Sequence, residues 1–166
     1  MSNKSDQETL WNLIKDVKFG MLVHRHSNGA LHGHPLTTQN RSADEGALLY
    51  FFISGKSEIA SRLREDAVVN VSYADPGADS YVSVAGTASF SSDMPTIERL
   101  WSPMAKAWFP GGVNDPNLAM LVVKISEAEY WNVKDSKATQ LFKMVQSAVT
   151  GEPPKDMADH KKLNLS

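Results

Sequence analysis

The chain has 166 residues, 42% hydrophobic and 22% charged, enough to bury the core of one globular domain. Its net charge of −2 excludes a global nucleic-acid footprint, and the lack of cysteine excludes disulfides, thiol nucleophiles and cysteine-ligated zinc. No apolar run approaches the roughly 20 residues of a membrane span, and the opening MSNKSDQETLW lacks the apolar segment of a signal peptide. A cytoplasmic protein is expected, with neither nucleic acid nor membrane as partner.

In chain order, SDQETLWNLIKDV predicts a helix, with Ser5 as N-cap, Glu8 at capping-box spacing, and Leu10, Ile14 and Val17 on one face. FGMLVHRH and ALHGHPLTT predict two strands joined at SNG, a hairpin signal. RSADEG reads as a polar loop. ALLYFFIS reads as a strand buried on both faces, and SEIASRLRED as a short helix. AVVNVSYAD, the PGAD turn and SYVSVAGTASFS give two more strands, with Gly86 marking a bulge or a close approach.

DMPTIERLW starts a helix that Asp93 can cap, with Pro95 in its first turn. SPMAKAWFPGGVNDPN connects it to a sixth strand, LAMLVVKISEAEYWNV. SKATQLFKMVQSAVTG predicts a final amphipathic helix, with Leu141, Phe142, Val145, Ala148 and Val149 on one face and Gly151 as its stop. Residues 151–166 have little to pack and are expected to be a mobile tail behind a single domain over 1–150. Antiparallel strands with few helices suggest a small closed barrel with flanking helices, not a doubly wound sheet.

Four histidines stand out. His24 and His26 share one strand face, His32 and His34 another, and pairing residue 24 with 32 would put all four together. Two facing H-x-H pairs could bind a transition metal. No carboxylate accompanies them in sequence and imidazoles are common on exposed strands, so a solvated polar face is preferred and no metal is expected. There is no G-x-S-x-G elbow and no Walker A loop. Gly55, Lys56 and Ser57 lie between a buried strand and a helix, where free N–H groups, an ammonium and a hydroxyl suit a phosphate; a simply capped helix is the alternative. Trp108 and Phe109, in a Pro- and Gly-rich loop, and Trp131, at a strand end, suit core packing, a subunit contact or stacking on a flat ligand.

GHPLTTQ, LLYFFISGKSEIASRL, VVNVSYADP, YVSVAGTASF, LWSPMAKAWFPGG and AEYWNV, in this order and spacing over about residues 6 to 145, carry a resemblance. The chain resembles the flavin-binding split barrels related to pyridoxamine 5′-phosphate oxidase, and among them the bacterial general stress protein branch. The resemblance implies a six-stranded antiparallel split β-barrel with flanking helices. It also implies a homodimer with flavin sites at the subunit interface, holding FMN first and FAD second.

In that setting His34, Pro35, Leu36, Thr37, Thr38 and Gln39 would run along the isoalloxazine ring, with Phe52, Ile53 and Ser54 lining it from the third strand. Lys56 and Ser57 would lie toward the phosphate, Tyr81 would give a polar contact, and Trp131 and Trp108 would come from the other subunit. No residue is implied as acid or base. Relatives carry Arg-Pro-Met where this chain has His34-Pro35-Leu36, and basic residues after the serine where it has Glu58 and Ile59. A charge-assisted contact of roughly 1.5–3 kcal/mol is thereby lost, leaving Lys56, Arg62 or Arg41 to substitute. The Arg and His that pyridoxamine phosphate oxidases carry after this tryptophan are absent from NVKDSKATQLF, so that reaction is not expected. A low-rate flavin-dependent oxidoreductase or flavin reductase is the first reading. A non-catalytic ligand-binding or interaction module with weakened flavin affinity is the second.

Overall fold

The computed structural model describes residues 4–42, 46–155 and 157–166. Part of the expected 41–46 loop lies outside them. The elements run α1 (Lys4–Val17), β1 (Phe19–Arg25), β2 (Leu31–Thr37), β3 (Leu48–Ser54), α2 (Glu58–Glu65), β4 (Val68–Asp75), β5 (Ser80–Ser91), α3 (Met94–Leu100), α4 (Ala105–Trp108), a 3-10 turn at 112–114, β6 (Leu118–Asn132), α5 (Lys137–Thr150) and β7 (Asp159–Asn164). Local chemistry accounts for most of these boundaries. Ser57 caps α2 by accepting from the Ala60 N–H, Asp93 caps α3 at the Thr96 N–H, and Ser136 caps α5 at the Thr139 N–H. Gly151 ends α5 at φ 73°, in the left-handed region.

The strands are ordered β2-β1-β4-β5-β6-β3, every pairing antiparallel. A bridge between Thr38 and Phe51 joins the two ends of this path and curls the sheet into a barrel. The split-barrel expectation holds, with one strand added at the β6 edge. The hairpin register places His24 opposite His32. At Ala85/Gly86 the β5–β6 register shifts, and a Cβ on Gly86 would fall 2.5 Å from the Lys124 carbonyl oxygen, so a bulge with close backbone approach requires glycine there.

Alternation along the strands sends Leu22, Leu49, Phe51, Ile53, Val71, Tyr73, Val84 and Val123 into the barrel, where they meet Leu10 and Ile14 of α1 and Ile59, Ala60 and Leu63 of α2. A second cluster lies on the outer face of β3 and β6, where Tyr50 and Met120 pack under Ile97 and Leu100 of α3.

Three expectations are corrected. Ser5 lies inside α1, where its carbonyl accepts from the Thr9 hydroxyl, so it is not the N-cap. The tail is not free along its length: residues 159–164 form β7, paired with residues 127–132 of β6, and Leu163 is buried. DHKKLN reads as polar because it is an edge strand whose single apolar side chain is the one that enters the core. Finally, α5 forms as expected but buries no residue, leaving Phe142 69% exposed with Leu141, Val145 and Val149 beside it.

Candidate functional site

The Thr38–Phe51 bridge and the bond from the Gln39 N–H to the Tyr50 carbonyl lay the end of β2 alongside β3, whose continuation is the Gly55-Lys56-Ser57 turn into α2. The fold thus brings residues 34–39 beside residues 50–57, which are far apart in sequence.

Within 34–39 the side chains divide by parity. His34, Leu36 and Thr38 turn inward: Leu36 packs against the core, and the buried Thr38 hydroxyl is 2.7 Å from the Tyr73 phenol. Burial pushes the Tyr73 phenol up, and the Thr38 hydroxyl pulls the other way. Of the two threonines in the segment, only Thr37 keeps its side chain on the outer side. Thr38 is committed to a buried pair, while Pro35 and Thr37 stand on the outer face opposite Met21 and Phe19. Gln39 donates from its side chain to the Thr37 carbonyl at 3.2 Å.

In β3, Phe52 and Ser54 lie on the outer side, Phe52 against the Trp101 ring at 5.5 Å, whereas Ile53 is buried in the barrel. Ile53 can offer only backbone to a ligand.

At the turn, the Ser57 hydroxyl donates to the Ser54 carbonyl at 2.6 Å while capping α2, so its capping role is realised. Lys56 is exposed. Two of the candidate substitute cations are engaged elsewhere: Arg41 donates to the Trp101 carbonyl at 2.7 Å, and Arg62 pairs with Glu65 and reaches the Arg25 carbonyl. Arg64 is the cation that sequence reading missed. It lies over the Phe90 ring and donates to the Gly55 carbonyl at 3.2 Å. Its seven-residue spacing from Ser57, two helical turns, was the available signal. Glu58 turns to His26 at 2.8 Å.

Tyr81 pairs across β5–β6 with Trp131 on the outer face. Trp131 stacks on His160 of β7 at 5.0 Å and 9°, a contact that the mobile-tail reading could not foresee. Trp108 is 80% exposed at the end of α4. Around Tyr81 the outer face of β1, β4 and β5 carries Phe19, Met21, Val68, Asn70 and Ser83, much of it open to solvent.

The four histidines gather on the inner side of the hairpin rim. His24 Nε2 lies 3.0 Å from His34 Nε2, and the His26 and His32 ring centroids are 4.0 Å apart. The solvated polar face expected holds only at the rim, where His32 is exposed; His24 is 1% exposed and His26 and His34 are partly buried. Among the described residues, no three His, Asp or Glu side chains converge as a group that could hold a metal ion. Two grooves lie elsewhere, one of about 570 Å³ between α1, the start of β3 and Asn164–Ser166, the other of about 400 Å³ between α1 and the β4–β5 turn. None of the expected flavin contacts lines either.

Residues 5–155 match the model of the family described as pyridoxamine 5′-phosphate oxidase like. The chain is similar to the general stress FMN/FAD binding protein of Xanthomonas citri, at 30% identity and TM-score 0.70, covering 81% of this chain and 93% of that one. A Jannaschia structure named for general stress protein 26 superposes at TM-score 0.76 with 23% identity, over 98% of this chain and 99% of that one, a likeness of fold. Protein bli-3 of Neurospora crassa is 26% identical over 152 residues, 87% of this chain and 73% of that protein.

Proposed function

Because the chain belongs to the pyridoxamine 5′-phosphate oxidase-like family, we propose that it is a flavin-binding protein of the general stress type, working as a homodimer in the cytoplasm, with FMN as first cofactor and FAD as second. The observation that carries this reading is the Thr38–Phe51 bridge, which sets the 34–39 segment beside β3, the strand that leads into the Lys56–Ser57 turn. The name of the Xanthomonas citri relative supports the same cofactor class.

The residues present fit a flat ring with a polar edge. Pro35 leaves no N–H to satisfy, while Thr37 and Gln39 supply hydrogen-bonding groups on or near the outer side. At the phosphate end, Lys56 and Arg64 flank Gly55 and would hold the anion by charge. The open outer face around Met21 and Tyr81 would close against a second copy, excluding water from the ring, with Trp108 and Trp131 contributing at its margins. A bound flavin would supply the redox chemistry, and the protein would set access and orientation. The activity is read as flavin reduction or low-rate oxidoreduction, without oxidation of pyridoxamine phosphate. The Glu58 carboxylate at the first position of α2 favours a second reading, in which flavin affinity is weakened and the protein serves as a binding module.

Titration of apo-protein with FMN, FAD and riboflavin, followed by flavin fluorescence, tests the proposal. FMN should bind much more tightly than riboflavin, and Lys56→Ala should weaken FMN by about tenfold or more, the scale of one charge-assisted bond. Failure of all three flavins to bind overturns it.

A further inference from the structure

We propose that the β1–β2 hairpin is a proton-sensitive clamp: the His24–His34 hydrogen bond holds the inner side of the 34–39 segment, and acidification breaks it, loosening the segment and releasing the flavin. The clamp stands on geometry alone; its effect on flavin rests on the function proposed above.

His34 belongs to both structures. Its backbone opens the 34–39 segment, and its ring is bonded Nε2 to Nε2 with His24 at 3.0 Å, the two rings stacked at 5.1 Å. Such a bond needs one donor and one acceptor, so it exists only while one of the two rings lacks its Nε2 proton. When both rings are imidazolium, two N–H groups face each other and two like charges stand a ring's width apart.

The surroundings give the second proton little relief. His24 is 1% exposed, and its Nδ1 has no hydrogen-bond partner in proper geometry. His26 and His32 lie 5.9 and 6.2 Å from its ring. The charged groups around the cluster are Glu58, Arg62 and Glu65 of α2, and Arg25, which lies on the opposite face of β1 and pairs with Asp66. Of these carboxylates, Glu58 meets His26, Asp66 meets Arg25 and Glu65 meets Arg62.

Burial holds the His24 pKa below the ordinary histidine value; the Arg25 backbone opposes this and the neighbouring imidazoles reinforce it. A histidine with a depressed folded pKa binds fewer protons than in the unfolded chain. Its stabilising contribution is thus complete above about pH 6.5 and is lost as pH falls through that value toward the folded pKa.

The test combines histidine-ring nitrogen NMR and amide hydrogen exchange on the full chain, with FMN binding measured in parallel at pH 7.5 and 5.5. The ring-nitrogen signals of His24 and His34 should report loss of the shared Nε2–Nε2 hydrogen bond together at the lower pH. Exchange protection of the Thr38 and Gln39 amides, corrected for intrinsic rate, should fall severalfold on acidification, while the β4–β5 amides hold. His34→Gln offers His24 either a carbonyl oxygen or an amide N–H at the ε position, so the contact survives both states of the His24 ring and protection should fall less with pH than in the wild type. His24→Gln serves the same purpose should the first variant not fold.

FMN affinity should drop more in the wild type than in either glutamine variant, the phosphate's own titration near pH 6 being common to all. Protection that is flat with pH in the wild type, or falls equally in a folded glutamine variant, overturns the clamp. Equal FMN losses in wild type and a folded variant overturn the coupling to flavin. Absence of FMN binding at pH 7.5 overturns the flavin reading and the release step, and the exchange data then decide the clamp alone.

Discussion

The outer surface of the sheet is treated in two ways. Over β3 and β6 it is covered by its own chain: α3 lowers Ile97 and Leu100 onto Tyr50 and Met120, and Trp101 meets Phe52. Over β1, β4 and β5 the same kind of surface is bare, with Phe19, Met21, Val68 and Tyr81 in solvent. Strand alternation is similar in both halves, so the difference lies in the helix that the chain supplies to one half alone. After β5 the Asp93 cap and Pro95 start α3, which folds back over β3 and β6. No described element covers the other half. An apolar surface that the chain finishes for itself contributes to folding, and one left open is available for association.

Three measurements bear on this contrast. The largest effect belongs to the covered half. Leu100→Ala, at a side chain with no exposed surface, should cost about 2–5 kcal/mol in denaturant unfolding, independent of protein concentration. A loss below that range would mean that α3 is only loosely seated. On the open half, Met21→Asp should leave monomer stability within about 0.5 kcal/mol but convert a dimer to monomer in sedimentation. A wild type that is already monomeric at high concentration would remove the assigned role of this face. The smallest effect should come from α5, where Phe142→Ser should change stability by no more than about 0.5 kcal/mol. A larger loss that grows with protein concentration would show α5 to be part of the subunit contact.

The hairpin holds the same contrast on a smaller scale. Its outer side chains, Met21 and Phe19 opposite Pro35 and Thr37, stand open, while its inner ones are matched within the chain: Leu36 to the core, Thr38 to Tyr73, His34 to His24. One segment can therefore meet a ligand on one side and be gripped on the other. If the clamp operates, the grip is the part of the site that responds to pH.

Much of this was legible in the sequence because it is local. Caps at Ser57 and Asp93, the stop at Gly151, the turn at SNG and two-residue alternation act over a few neighbouring residues, and they specify α1, α2, α3 and α5, six strands and the pairing of His24 with His32, while α4 arises within what reads as a connection. The bulge at Gly86 was foreseen for the same reason. Long-range packing alone settled that Thr38 faces Tyr73 and Ile53 the core, and that DHKKLN pairs with β6 and brings His160 onto Trp131. Each of these rests on contacts between distant segments. A side chain's face follows from strand parity only once it is known which side of the barrel is inside, and a polar edge strand carries too little apolar signal to announce its partner.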